Sequence, residues 1–422
     1  MLSRVPQAAI QTAHRRTLFS SLKTAPIFSR PLLSSRNRHY SILHEQPKER
    51  RFGPWLTTFA IASAAFLGYG GYVLYQTLTM WPPEVRADLR DAIAAKLKGE
   101  LELSERHFHR AWDVIQTVPI SSLGDMPYLK LTGIAVALAD VLETSGKPAR
   151  AYEICVDALL VMQRDGAKET LTGQEKLRAI SIASKLGQLA QELQRPQEEE
   201  EKWLVFAVEE MLKLVKSEGK GPGSNSAKDA LEEGQVSLPL LVVPSWISKA
   251  DMGAPLEELG AFYARIGRID YAMPLYLQAI SLLIPPAPKV ASPEDRCRGA
   301  QLMGNLSELI MRRPPSPETL HQAEAWASQA LAVIKKARAE IKSTIPGCEE
   351  VYAAALFNVA YFREISGDKV SARRFYKEGL DQARANQISE GVVEASKALA
   401  RIDSESTGSG LDSDVDVKSM TP

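Results

Sequence analysis

Residues 259–279 read Leu-Gly-Ala-Phe-Tyr-Ala-Arg-Ile-Gly-Arg-Ile-Asp-Tyr-Ala-Met-Pro-Leu-Tyr-Leu-Gln-Ala, and Pro285 follows shortly after. Apolar side chains recur at three- and four-residue intervals on both sides of Gly267, so the stretch predicts two amphipathic helices joined by a glycine turn. Gly260, Ala272 and Ala279 are small, which lets the two helices approach closely. Tyr263 and Tyr276 fill the space between neighbouring pairs, and Pro285 ends the second helix. The pair presents an apolar face it cannot bury alone.

The same signature returns elsewhere. Leu356, Ala360, Gly367-Asp368, Ala372, Tyr376 and Gly379-Leu380 form a second copy, and Ala139, Gly146, Ala151, Cys155 and Ala158-Leu159 a third. Weaker copies surround Phe108 and Ala111, Leu186-Gly187 and Ala207, and Gly304, Ala323 and Ala330. These offsets resemble the tetratricopeptide repeat, which implies an all-α solenoid of stacked helical hairpins. The competing reading is an irregular helical bundle. Spacing departs from the family: Ser104, Ala151 and Glu200 are 47 and 49 residues apart, and Ala272, Ala323 and Ala372 are 51 and 49 apart. The repeat unit is about 34 residues, so each copy carries longer helices or longer connections.

Helical periodicity runs from Asp88 to Asp403, and the repeat domain is placed at 84–403. Residues 217–253 interrupt it as a loop insertion: a Gly- and Ser-rich stretch, then apolar Val236 to Trp246 with Pro239 and Pro244. That apolar segment either packs across the solenoid or docks a partner. Arg312-Arg313-Pro314-Pro315-Ser316-Pro317 reads as a rigid connection. Residues 388–402 form a closing helix, with Ile388, Val392, Val393 and Leu399 covering the last repeat, and 404–422 is a polar, acidic, disordered tail.

Residues 1–44 contain no Asp or Glu but carry Arg4, Arg15, Arg16, Lys23, Arg30, Arg36 and Arg38 among Ser, Leu and Ala. This composition predicts a mitochondrial transit peptide over 1–40, cut between Tyr40 and Ser41, against the alternative of a disordered basic tail. No charge occurs between Arg51 and Glu84, and Leu56 to Leu78 supplies 23 apolar-rich residues. At 1.5 Å per residue that is roughly 34 Å, enough for one bilayer span over 55–80. Trp55, Tyr75 and Trp81 occupy expected interfacial positions, and Lys48, Arg50 and Arg51 keep the short 41–54 segment on the matrix side. Ala60, Ala64 and Gly68 form a small-residue stripe that suits a partner span.

The chain is formally neutral, with 51 basic and 51 acidic residues. Removing 1–40 takes away seven basic residues and leaves a net charge near −7, which argues against nucleic acid as a partner. Cys155, Cys297 and Cys348 are far apart in sequence, so each is expected to be a buried small apolar side chain, with no disulfide framework and no zinc site.

Catalytic signals are missing. His107 and His109 lie at i and i+2, on opposite sides of a helix, and cannot share a metal. Gly219 to Ser224 lacks phosphate-loop spacing. Glu198 to Glu201 reads as a solvated helix start, where negative charge suits the dipole. No cofactor, metal or enzymatic activity is expected. Binding is the default use of such an array, through residues of the first helices: Arg265, Asn305, Glu308, Phe357 and Tyr361. The Lys and Asn clamp of chaperone-tail receptors is not apparent.

The order of parts, with Trp81-Pro82-Pro83-Glu84-Val85-Arg86 after the span, resembles the fungal tetratricopeptide adaptor subunit of the mitochondrial i-AAA protease. The resemblance implies a single-pass inner-membrane protein facing the intermembrane space. Its partners would be unfolded or misfolded substrate proteins and the subunits of a membrane-bound ATP-dependent metalloprotease. The alternatives are an assembly factor for a respiratory-chain complex and an outer-membrane import receptor. The matrix-type processing site disfavours the receptor.

Overall fold

The computed structural model describes residues 80–164, 170–218, 246–286, 290–341 and 345–408, all within the unit Leu78–Pro422. The transit peptide, its Tyr40–Ser41 cleavage point and nearly all of the proposed span lie outside these residues. No described helix is long and apolar enough to cross a membrane.

The described elements are helical, with no strand among them. They pair as α1 (Pro83–Lys98) with α2 (Leu101–Ile115), α3 (Pro127–Thr144) with α4 (Pro148–Gln163), and α5 (Gly173–Glu192) with α6 (Gln197–Glu218). The series continues with α7 (Lys249–Arg265) and α8 (Ile269–Leu283), α9 (Pro293–Met311) and α10 (Pro317–Glu340), and α11 (Pro346–Ile365) and α12 (Lys369–Ala385). A closing helix, α13 (Ser389–Gly408), packs on α12. Each second helix also packs on the first helix of the next pair, which gives a tetratricopeptide-like solenoid.

The six equivalent second-helix positions are the clearest link from sequence to packing. Ser104, Ala151, Ala272, Ala323 and Ala372 have 0% exposure and Glu200 has 4%. Where the position is not alanine, its polar atom is paired: Ser104 Oγ donates to Ala92 O at 2.9 Å, and Glu200 pairs with Arg265. Small residues also admit neighbouring rings and branches. A Cβ on Gly260 would lie 3.2 Å from the Tyr276 ring, and one on Gly187 only 2.5 Å from Leu204 Cδ2. Between helices, Gly267 closes the α7–α8 turn at φ 81°, a conformation only glycine adopts without strain.

Helix starts follow capping chemistry. Thr172 and Glu175 form a capping box on α5, and Ser248, Ser292 and Ser316 cap α7, α9 and α10. The wider repeat spacing comes from length in both places anticipated. Helices α6 and α10 have 22 and 24 residues, and a 3-10 turn at Ile120–Leu123 lengthens the α2–α3 connection.

Several expectations are corrected. Cys297 and Cys348 are joined in a disulfide, and only Cys155 is free and buried. Sequence distance concealed the pair, because first helices of neighbouring pairs lie side by side although a whole repeat separates them. Trp81, expected at a membrane interface, packs on the helical core, its ring 3.7 Å from where a Gly133 Cβ would stand, and so anchors the entry to α1. Residues 217–218 and 249–253 belong to α6 and α7, so the insertion is shorter than 217–253; residues 219–245 lie outside the described residues. α13 continues to Gly408, past the expected start of the tail, and buries Ala395, Ala398 and Ile402 while Val393 stays exposed.

Candidate functional site: the first-helix face

Successive first helices meet along a polar seam. Lys96 of α1 pairs with Asp140 of α3, and Lys185 of α5 with Glu143 of α3 at 2.6 Å. Gln188 of α5 donates to Glu258 of α7 at 2.8 Å, and Arg298 of α9 reaches Glu257 of α7 at 2.9 Å. Arg312, which caps the C-terminal end of α9, donates to the Ala264 carbonyl of α7 at 2.8 Å. Glu175 adds a tie at the other end of the α3–α5 seam, accepting from Tyr128 N at 2.9 Å while it caps its own helix. Between α9 and α11 the tie is the Cys297–Cys348 bond, with Cα atoms 5.3 Å apart.

The five residues expected to line a binding face have different fates. Arg265 stays exposed while its guanidinium pairs with buried Glu200 and lies 5.5 Å over the Phe262 ring. Phe357 is half-buried and fills space between α11, α12 and α13: its ring is 2.4 Å from a Cβ on Gly379 and 3.2 Å from one on Gly391. Asn305 and Glu308 sit half-buried on α9. Burial pushes the Glu308 carboxyl up to about 7, partly opposed by Arg312. Tyr361 is 39% exposed, with one edge on Phe362, and Ile365 one turn on is 45% exposed.

A matching apolar pair stands at the other end of the array. Ile93 and Leu97 of α1 are also four residues apart and are 52% and 77% exposed. Sequence reading missed them because it followed the best-matched repeats. Their signal was there: they alternate with the buried Val85, Leu89, Ala92 and Ala95 on the same helix.

Glu198 to Glu201 open α6 with acid in its first turn, as expected, and Glu198 is exposed, but the other three are not merely solvated. Glu199 accepts from Tyr152 Oη at 2.5 Å, Glu200 pairs with Arg265, and Glu201 accepts from Tyr263 Oη at 2.8 Å. Trp203 Nε1 donates to the same Tyr152 oxygen at 2.8 Å. The run clasps three consecutive pairs together.

The histidines and the free cysteine do not converge on one another among the described residues. His107 and His109 turn to separate partners, Asp88 at 2.9 Å and Asp113 at 3.0 Å. No group of three metal-binding side chains occurs among the described residues. Burial pushes the Cys155 thiol up to about 12, so it is not a nucleophile. An open cleft of about 570 Å³ lies against Leu103, Glu105, Arg106, His109, Arg110 and Arg150. Lys147 and Arg150 already hold the buried Glu105, and Arg110 faces Asp88.

No protein-family profile and no curated protein matches the chain. Among solved structures, BtubC (BKLC) from P. vanneervenii is similar at TM-score 0.46 and 15% identity, over 68% of this chain and 91% of that one. The apo form of RapI is similar at TM-score 0.45 and 10% identity, over 78% and 73%. The nearly identical TPR-like repeats of a putative kinesin light chain from Podosopora anserina give 0.35 and 16%, over 62% and 97%. With its stacked helix pairs, glycine turns and buried small residues at six equivalent positions, the chain is a tetratricopeptide-like, all-helical repeat protein over its described residues.

Proposed function

We propose that the protein is a non-catalytic adaptor of the mitochondrial inner-membrane i-AAA protease. It binds unfolded or misfolded proteins on its first-helix face and hands them to the protease for degradation. The transit-type N-terminus and the charge-free stretch before Glu84 support a single-pass inner-membrane protein with its helical domain in the intermembrane space. The observation that carries the binding role is the pair of exposed apolar ends, Ile93 with Leu97 and Tyr361 with Ile365, flanking a seam tied by polar pairs.

Such a face suits extended chains. Apolar side chains of an unfolded segment are drawn to the exposed pairs, while the seam offers polar contacts that carry little sequence preference. Glu308, poised near neutrality, is held ionised by a Lys or Arg arriving beside it.

Affinity purification from gently solubilised mitochondria, read by mass spectrometry, tests the reading. Recovery of the ATP-dependent metalloprotease subunits supports it. Recovery of respiratory-chain subunits without the protease overturns it in favour of an assembly factor.

A further inference from the structure

We propose that Cys297 and Cys348 are a modification site. A thiol–disulfide oxidoreductase in the compartment of the helical domain oxidises them, and the bond fastens the last helix pair to the one before it. The two residues lie near the N-terminal ends of α9 and α11, 51 residues apart. Every other first-helix seam from α1 to α9 is tied by side-chain polar pairs, which exchange with water. The α9–α11 seam alone among them has a covalent tie. Both cysteines are nearly closed to solvent, at 5% and 2% exposure, so glutathione-sized reductants do not reach them in the folded domain.

The chemistry balances with one partner of defined class. The thiolate of Cys297 or Cys348 attacks the oxidoreductase's disulfide, forming a mixed disulfide and releasing one of its thiolates. The second cysteine attacks the sulfur of the first, which closes the bond and frees the reduced enzyme. The chain loses two electrons and two protons; the partner's disulfide gains the electrons. Because both sulfurs are buried in the finished fold, the exchange takes place before α11 settles on α9. Cys155 does not compete, being buried, with its thiol pushed well above the usual range. Cytosol and matrix keep thiols reduced, so a stable bond also reports that the domain stands in an oxidising space. The inference holds independently of which protein the solenoid binds.

The test uses the full chain in the cells that make it, quenched with acid and labelled under denaturing conditions with a polyethylene-glycol maleimide. One adduct is expected without reductant, at Cys155, and three after reduction. Three adducts without reductant overturn the proposal, as does protection that includes Cys155. Cys348→Ser is expected to trap a reductant-sensitive mixed disulfide between Cys297 and the oxidoreductase; no such band overturns the enzymatic step. In limited proteolysis, the Cys297→Ser/Cys348→Ser double variant is expected to lose α11–α13 roughly tenfold faster than the parent. Equal rates overturn the fastening role.

Discussion

Glu308 makes the stability of the helical domain depend on pH in a direction opposite to the common carboxylate. Its folded pKa is raised from 4.5 to about 7, by burial first, with Arg312 opposing. Below pH 4.5 the group is protonated in both states and contributes no penalty. Between 4.5 and 7 the folded state holds a proton that the unfolded state has lost, so stability falls as pH rises. Above 7 both states are ionised and the whole penalty is present. The shift corresponds to at most about 3 kcal/mol, at 1.4 kcal/mol per unit, and rotation of the half-buried carboxylate toward water reduces it. Glu308→Gln removes the charge and keeps the shape. In urea unfolding of the detergent-solubilised chain, followed by circular dichroism, the variant should match the parent near pH 4.5. By pH 8 it should be more stable by roughly 1–3 kcal/mol. A difference that is constant with pH, or one that favours the parent at pH 8, refutes the reasoning.

Other perturbations probe the packing and the proposed face. Gly187→Ala places a methyl 2.5 Å from Leu204, itself 3% exposed, and should cost about 1–2 kcal/mol despite its better helix propensity. Gly253→Ala meets nothing within 4 Å and should stabilise by up to about 1 kcal/mol; thermal melts of the two variants should therefore move in opposite directions. Phe357→Ala should lower stability by about 2–3 kcal/mol, because the ring fills the α11–α13 junction. Tyr361→Ala with Ile365→Ala should leave the melt nearly unchanged while weakening capture of an unfolded protein; unaltered capture would remove this end of the face. In mitoplasts, added protease should digest the chain beyond Trp81, whereas digestion in intact mitochondria would place the domain in the cytosol.

Local periodicity carried the fold. Small residues at Ala151, Ala272, Ala323 and Ala372, with glycines at the turns, are set by the helix they sit in and its immediate partner, so spacing alone reveals them. Contacts between pairs are a different matter. Whether Glu200 meets solvent or Arg265, and whether Phe357 faces outward or into the α12–α13 junction, depends on how one hairpin is rotated against the next. That rotation is fixed by the summed shape of many side chains. The same holds for Cys297 and Cys348, whose separation of 51 residues matches the long repeat of this chain. Two first helices one repeat apart start at the same level, which places the sulfurs side by side.

Second-helix contacts and first-helix seams differ in what holds them. Second helices contribute the buried Trp112, Leu159 and Met162, so separating a second helix from the next pair exposes apolar core. Separating first helices breaks polar pairs that water replaces at a net cost of about 0.5–1.5 kcal/mol each. First helices also bury Leu131, Ile134, Leu138 and Phe262, so these polar pairs are the part of each seam that a bound segment, in the role proposed above, would exchange at least cost. The Cys297–Cys348 bond adds a covalent tie to α11, the helix that carries Tyr361 and Ile365. For the adaptor role proposed above, paired polar seams between two exposed apolar ends would suit many unfolded sequences better than a single folded partner.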